Sequence, residues 1–300
     1  MPFEPLKALA MPGRFWPCSR PGHTLGFRVP NQIHSRSSRD FQSPNQSMYP
    51  ELFTIPGINY TVSTFGVMMS LGFLVGYWIA SIRMQQLGLD PEPVTNLLVW
   101  IMIGGVVGSK LYYAVDVSIR EGYPFFDLLF ARAGITWYGG LMGGTLAGVL
   151  GCRFHNVSTL GFANAVAPAL AVGQALGRVG CFLVGDDYGK VTDVPWAVSF
   201  PQGAPPTLDL VHPTQLYEVA WLIPVAGFLW FRRDRSPFLL GEYLALNGAG
   251  RIVIEHWRVN EKVLFGLTEP QLIGAGLILI GTSLWFYFRS KNPSALGSSA

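Results

Sequence analysis

Charge is scarce in this chain: Asp, Glu, Lys and Arg make up 13% of its 300 residues, against roughly 25% in ordinary soluble domains. Cysteine is scarce too, and Cys18, Cys152 and Cys181 have no CxxC spacing and no accompanying His cluster. Neither a disulfide framework nor a zinc site is indicated, and no metal or organic cofactor is expected. No internal repeat supports a transporter built from duplicated halves. The surplus of basic charge is confined to residues 1–47, where Lys7, Arg14, Arg20, Arg28, Arg36 and Arg39 face only Glu4 and Asp40. The remainder is close to neutral, which removes the basis for a nucleic-acid partner. What the chain has instead is apolar content: half of its residues are hydrophobic, with 35 Gly and 9 Trp and a mean hydropathy of +0.33. That balance points to lipid as the solvent and argues against disorder.

Residues 1–47 are rich in Ser, Pro, Arg and Asn and lack the apolar centre of a secretory signal, so they read as a disordered extension, with translation expected to start at Met48. Beyond them, apolar stretches long enough for a hydrocarbon core of about 30 Å recur. They lie near Val62–Ile82, Val94–Ala114, Gly134–Gly151, Asn164–Val184, Leu216–Phe231, Phe238–Trp257 and Pro270–Phe288. The expected fold is an all-α integral membrane domain over residues 48–290, with seven transmembrane helices and an outer-face loop or head region, followed by a cytoplasmic tail at 291–300. Arg83, Arg153, Arg232, Arg233, Arg235, Arg289 and Lys291 fall on one side; Arg120, Arg132, Lys190, Arg258 and Lys262 fall on the other. The richer side is expected to be cytoplasmic, which puts the N-terminus outside and the C-terminus inside. The loops at 115–133, 185–215 and 258–269 then face outward.

With that orientation the polar residues in or beside the spans share the outer end: Lys110, Trp137, Tyr138, Arg178, Asp186, Asp187, His212, Gln215, Glu218, Arg251 and Glu255. Each charged group within a span costs about 2.5–3.5 kcal/mol on insertion scales, so such groups face a cavity or one another. Three motifs carry them. Gly177–Gly189 reads GRVGCFLVGDDYG; close helix packing explains its glycines but not Arg178, whose planar fork suits a phosphate or carboxylate. Asn247–Arg258 places Arg251 and Glu255 at i and i+4 on one helical face, either as a neutralised structural pair or as part of a site. His212–Glu218 reads HPTQLYE and opens a span, where His212 or Thr214 serves as a cap or as a chemical group. Trp137-Tyr138-Gly139-Gly140 is open to an interfacial or a functional reading. Cys181 reads as a small packing residue on a glycine-lined helix.

In combination these motifs resemble the prolipoprotein diacylglyceryl transferase family. The resemblance covers about residues 48–290 and rests on the GRxG…G frame, HPTQLYE, Arg251…Glu255…Arg258 and the GGL at Gly139–Leu141. It implies a multi-pass enzyme of the bacterial inner membrane. Such an enzyme transfers the diacylglyceryl group of phosphatidylglycerol to the lipobox cysteine of preprolipoproteins, with membrane lipid and these proteins as its partners. Arg178 and Arg251 would hold and neutralise the phosphate, oriented by Asp186 and Glu255. Gly180, Gly189, His212, Gln215 and Arg258 would line the substrate site. Lys110 stands where the family usually has Arg and would add a point charge.

The chain departs from the family pattern within the site. Cys181 and Val184 replace the two asparagines of GRxGNFxNGE, and Asp186 replaces its glutamate. Tyr138 replaces the histidine before the glycine pair, and Phe65 replaces a tyrosine early in the first span. Tyr138 is the candidate to act in place of that histidine. The alternative expectation is an altered or inactive paralogue that binds phospholipid without transferring it.

Overall fold

The computed structural model describes residues 49–57, 60–131, 134 and 136–291. The expected extension at 1–47 with its start at Met48, the outer-side Arg132, and the tail beyond Lys291 lie outside the described residues.

Helices dominate. After a hairpin of β1 (Glu51–Ile55) and β2 (Tyr60–Ser63) come α1 (Thr64–Gln86), α2 (Pro93–Glu121), the short α3 (Phe125–Leu129), α4 (Trp137–Phe154) and α5 (Thr159–Val184). A hairpin of β3 (Val198–Phe200) and β4 (Thr207–Val211) leads to α6 (Thr214–Arg232) and α7 (Leu239–Ile254). A 3-10 turn at Glu255–Trp257, the strands β5 (Lys262–Leu264) and β6 (Leu267–Thr268), and α8 (Glu269–Lys291) complete the order. All three strand pairs are antiparallel and two-stranded. They qualify the all-α expectation: strands of two to five residues leave no usable period-2 signal in the sequence.

Local chemistry sets the ends. Ser63 and Ser158 accept hydrogen bonds from Gly66 and Gly161 at 3.1 and 3.2 Å, satisfying donors that a helix N-terminus leaves free. Pro93 occupies the first turn of α2, where its missing N–H costs nothing. Gly122 and Gly185 end α2 and α5 in the left-handed conformation, with φ of 73° and 76°.

Four helices, α1, α2, α5 and α8, are long and apolar enough to cross a bilayer by length and composition. The other long elements, α4, α6 and α7, have 18, 19 and 16 residues. α6 carries Glu218 and Arg232, and α7 carries Glu242 and Arg251, charges that lower the hydropathy of both helices. The stretch expected over Phe238–Trp257 stays α-helical only to Ile254 and tightens into the 3-10 turn.

Packing relies on small residues. α2 and α4 cross through Gly104 and Gly108 against Gly139 and Gly143: a Cβ at Gly143 would strike the Gly104 carbonyl oxygen, and one at Gly108 would lie 2.8 Å from the Gly143 Cα. Close backbone approach of this kind is how helices associate in lipid. The Gly139–Leu141 motif therefore has a packing role. α5 is the hub, with Ala165, Ala167, Ala169, Ala171 and Ala175 buried, and its last two turns bring Arg178 to the loop that begins at Gly185. At the opposite end, Arg83 is buried against Asp234 at 3.3 Å and the Arg233 carbonyl at 3.2 Å.

Candidate active site

Three chain segments meet where α5 ends. Gly185 and Asp187 adopt positive φ (76° and 64°), folding the chain so that the Gly189 N–H donates to the His212 carbonyl at 2.9 Å and the Lys190 N–H to the Trp257 carbonyl at 2.8 Å. A side chain at Gly189 would strike the Trp257 carbonyl oxygen and lie 2.8 Å from the Thr214 methyl carbon, so only glycine lets the three segments converge. The Thr214 hydroxyl donates to the Asp187 carbonyl at 2.8 Å, and the Gln215 amide donates to the Asp186 carbonyl. Below this junction, the Tyr243 hydroxyl donates to Gln174 at 2.9 Å and Gln174 to Asn247 at 3.2 Å, tying α5 to α7.

On this platform three arginines share three carboxylates. Glu218, 5% exposed, is the centre: its Oε2 lies 2.6 Å from Arg178 Nε, and its Oε1 lies 2.9 Å from Arg251 Nη1 and 3.3 Å from Arg258 Nη1. Asp187 Oδ2 lies 2.6 Å from Arg178 Nη1, and its Oδ1 pairs with Arg258. Glu255 accepts from Asn260 at 2.6 Å and Thr268 at 2.9 Å, with its other oxygen 3.8 Å from Arg258 and 4.0 Å from Arg251. Arg178 and Arg251 remain 19% and 25% exposed. Among the described residues, Nη2 of each makes no hydrogen bond. Buried Glu218 and the more exposed Asp187 thus fix two part-exposed guanidinium groups, Arg251 Nη2 lying 4.0 Å from Glu255 and Arg178 Nη2 making no hydrogen bond among the described residues, a preorganised arrangement suited to an anion.

Arg178, Arg251, Glu255 and Arg258 are brought together as the sequence suggested, and Gln215 and Gly189 build their floor. Asp186 departs from expectation. It was to orient Arg178, but that position is filled by Asp187 and Glu218. The left-handed Gly185 and Asp187 turn the second acid toward the arginines, and burial pushes the Asp186 carboxyl above its ordinary value. Gly180 packs against α1, where a Cβ would meet Met68 at 3.1 Å and Phe65 at 3.2 Å. His212 shares a hydrogen bond of 2.9 Å with the Tyr217 hydroxyl and packs against Trp257; burial, then Lys190, lowers its pKa. Lys110 donates to the Ala131 carbonyl and the Tyr138 hydroxyl to Glu269 at 2.7 Å. Glu218 and Asp187 had no role assigned from sequence; the usable signal was an acid inside a span, since such a group needs a cation. No group of three or more His, Cys, Asp and Glu side chains among the described residues is placed to hold a metal.

Compared with known proteins, the chain matches the family described as prolipoprotein diacylglyceryl transferase over residues 50–287. The chain belongs to this transferase family. It is 33% identical over 264 residues to the phosphatidylglycerol–prolipoprotein diacylglyceryl transferase of Vibrio cholerae serotype O1, covering 83% of this chain and 94% of that protein. It is 32% identical over 241 residues to the enzyme of the same name from Clostridium tetani, covering 78% and 95%. With the Synechocystis enzyme of that name it shares 29% over 269 residues, covering 84% and 93%. The transferase match includes every member of the arginine–carboxylate cluster.

Two outcomes follow from these contacts. Burial pushes Asp187 up, but Arg258 and Arg178 outweigh it and hold the carboxyl below its ordinary value. Its stabilisation is therefore complete above about pH 4 and is lost as the pH falls through the lower folded value. Asp187→Asn is expected to flatten that acid limb in thermal melts between about pH 7 and pH 3; superimposable profiles would contradict the pairing. Tyr138→Phe is expected to retain transfer activity while losing the hydrogen bond to Glu269. Loss of turnover in a normally folded Tyr138→Phe protein would instead give the phenol a chemical role.

Proposed function

We propose that the protein transfers the diacylglyceryl group of phosphatidylglycerol to the lipobox cysteine of preprolipoproteins, the first step of bacterial lipoprotein maturation. The observation that carries this reading is the pair of part-exposed guanidinium groups, Arg178 and Arg251, locked by Glu218 and Asp187. The cysteine sulfur, as thiolate, forms a bond to the glycerol carbon that bears the phosphate. The carbon–oxygen bond breaks, and glycerol phosphate leaves with the electron pair. Negative charge grows on the departing oxygen, where a fixed guanidinium edge is worth far more than in water because the surroundings cannot reorganise to screen it. Arg258 and Glu255 act through the other two arginines as positioning residues.

In this reading residues 48–290 form one seven-span domain of the inner membrane. α1, α2, α4, α5, α6, α7 and α8 cross it, the 185–215 and 258–269 segments form an outer-face region, the N-terminus lies outside and the C-terminus lies in the cytoplasm. The Arg-rich end that includes Arg83, Arg153, Arg232 and Arg289 supports that orientation. The test is purified protein with phosphatidylglycerol vesicles and a lipobox peptide. A peptide mass increased by one diacylglyceryl group is expected; phosphatidylglycerol binding without that shift would overturn transfer in favour of a binding role.

A further inference from the structure

At the end of the bundle away from the arginine cluster, α6, α7 and α8 leave a groove of about 250 Å³ between them. Glu218 and Arg232 are 14 positions apart on α6, so the two regions are separated by roughly 20 Å along the helix. The groove wall is apolar, with Phe228, Ala245, Leu246 and Phe286 among its lining residues. Phe228 and Phe286 are 46% and 62% exposed, so the groove opens on the outside of the bundle.

Its rim is different. Glu242 accepts from Arg232 Nε at 2.9 Å and Nη2 at 2.8 Å, from the Ser236 hydroxyl at 2.8 Å and from Trp285 Nε1 at 2.9 Å. The carboxylate takes four hydrogen bonds and holds Arg232 in place over the Phe228 ring, while Arg232 Nη1 makes no hydrogen bond among the described residues. The Arg289 guanidinium lies 5.1 Å from the Trp285 ring centroid, on the same rim, and Arg235 and Lys291 are exposed nearby in the chain. An apolar slot with a basic rim matches an amphiphile with an anionic head.

We propose that this groove binds an anionic phospholipid of the leaflet opposite the arginine–carboxylate cluster, one acyl chain against Phe228, Leu246 and Phe286 and the phosphate on Arg232 and Arg289. The leaflet assignment rests on the seven-span reading; the groove and its charge do not. A large side chain at Ala245 fills the slot, and a neutral one at Arg289 removes a rim charge at an exposed position.

The test reconstitutes the full chain in phosphatidylcholine vesicles with phosphatidic acid carrying a photoactivatable group midway along one acyl chain. Adducts are expected on peptides holding residues 241–246 and 281–286. They should fall about fivefold in Arg289→Gln, as expected for one surface charge, and at least as much in Ala245→Phe, while diacylglyceryl transfer by Ala245→Phe is retained. Labelling that ignores both substitutions, or that a phosphatidylcholine probe reproduces, would overturn the proposal in favour of ordinary annular lipid. Labelling that appears only when the protein is diluted to monomers would overturn it in favour of a second copy covering the groove. Loss of transfer in the wild type with groove adducts intact would count against the transferase reading alone.

Discussion

Arg178→Ala is expected to lower diacylglyceryl transfer by roughly 10²–10³-fold, the loss seen when one preorganised charge-stabilising donor is removed. The geometry makes the effect catalytic rather than structural. Without Arg178, Glu218 keeps Arg251 at 2.9 Å and Arg258 at 3.3 Å, and Asp187 keeps Arg258, so no buried carboxylate is stranded. In the proposed mechanism, what disappears is the guanidinium edge that meets the departing phosphate. Arg178→Lys should recover little, because one ammonium cannot reach Glu218 and Asp187 and also present a planar edge. The assay is the mass of the modified peptide over time, with folding checked by the melting temperature. Arg251→Ala should behave alike, and normal turnover in both variants would remove the proposed mechanism.

The largest effect on stability is expected from Glu218→Ala. This carboxylate is the shared acceptor of three arginines, from α5, from α7 and from the position that follows the 3-10 turn, and it is nearly inaccessible to solvent. Removing one partner of a buried pair costs about 3–5 kcal/mol because the other charge is left uncompensated. Here three cations would then face only Asp187 and Glu255. For a chain of this size the apparent melting temperature should fall by roughly 10 °C. Glu218→Gln keeps the shape and one acceptor but not the charge, and should fall between. An unchanged melting temperature in both variants would mean that water, not Glu218, carries the arginines.

The helices were legible because lipid imposes a simple code: long apolar runs, interrupted by charges that must find partners. The closeness of Arg251 to Glu255 followed from i,i+4 geometry, and the need of Arg178 for acidic partners from its position inside a span. The code failed where distance along the chain grew. Glu218 lies 40 positions after Arg178 and 40 before Arg258, and no local period announces such a meeting. The choice between Asp186 and Asp187 turned on two backbone φ values, which a pair of adjacent acids does not reveal. Among the contacts of Lys110 and Tyr138, the hydrogen bonds to the Ala131 carbonyl and to Glu269 are ones that no local pattern announces.

The way Glu218 gathers its arginines has a bearing on biogenesis. Each of those ion pairs closes a loop of dozens of residues, and such long-range closures come late because chain entropy must be lost before any contact repays it. A chain leaving the insertion machinery would thus hold its first helices packed through glycine well before it owned an anion-binding centre. Catalytic competence would be the last property acquired, and a stalled or truncated copy would sit in the bilayer without competing for substrate lipid.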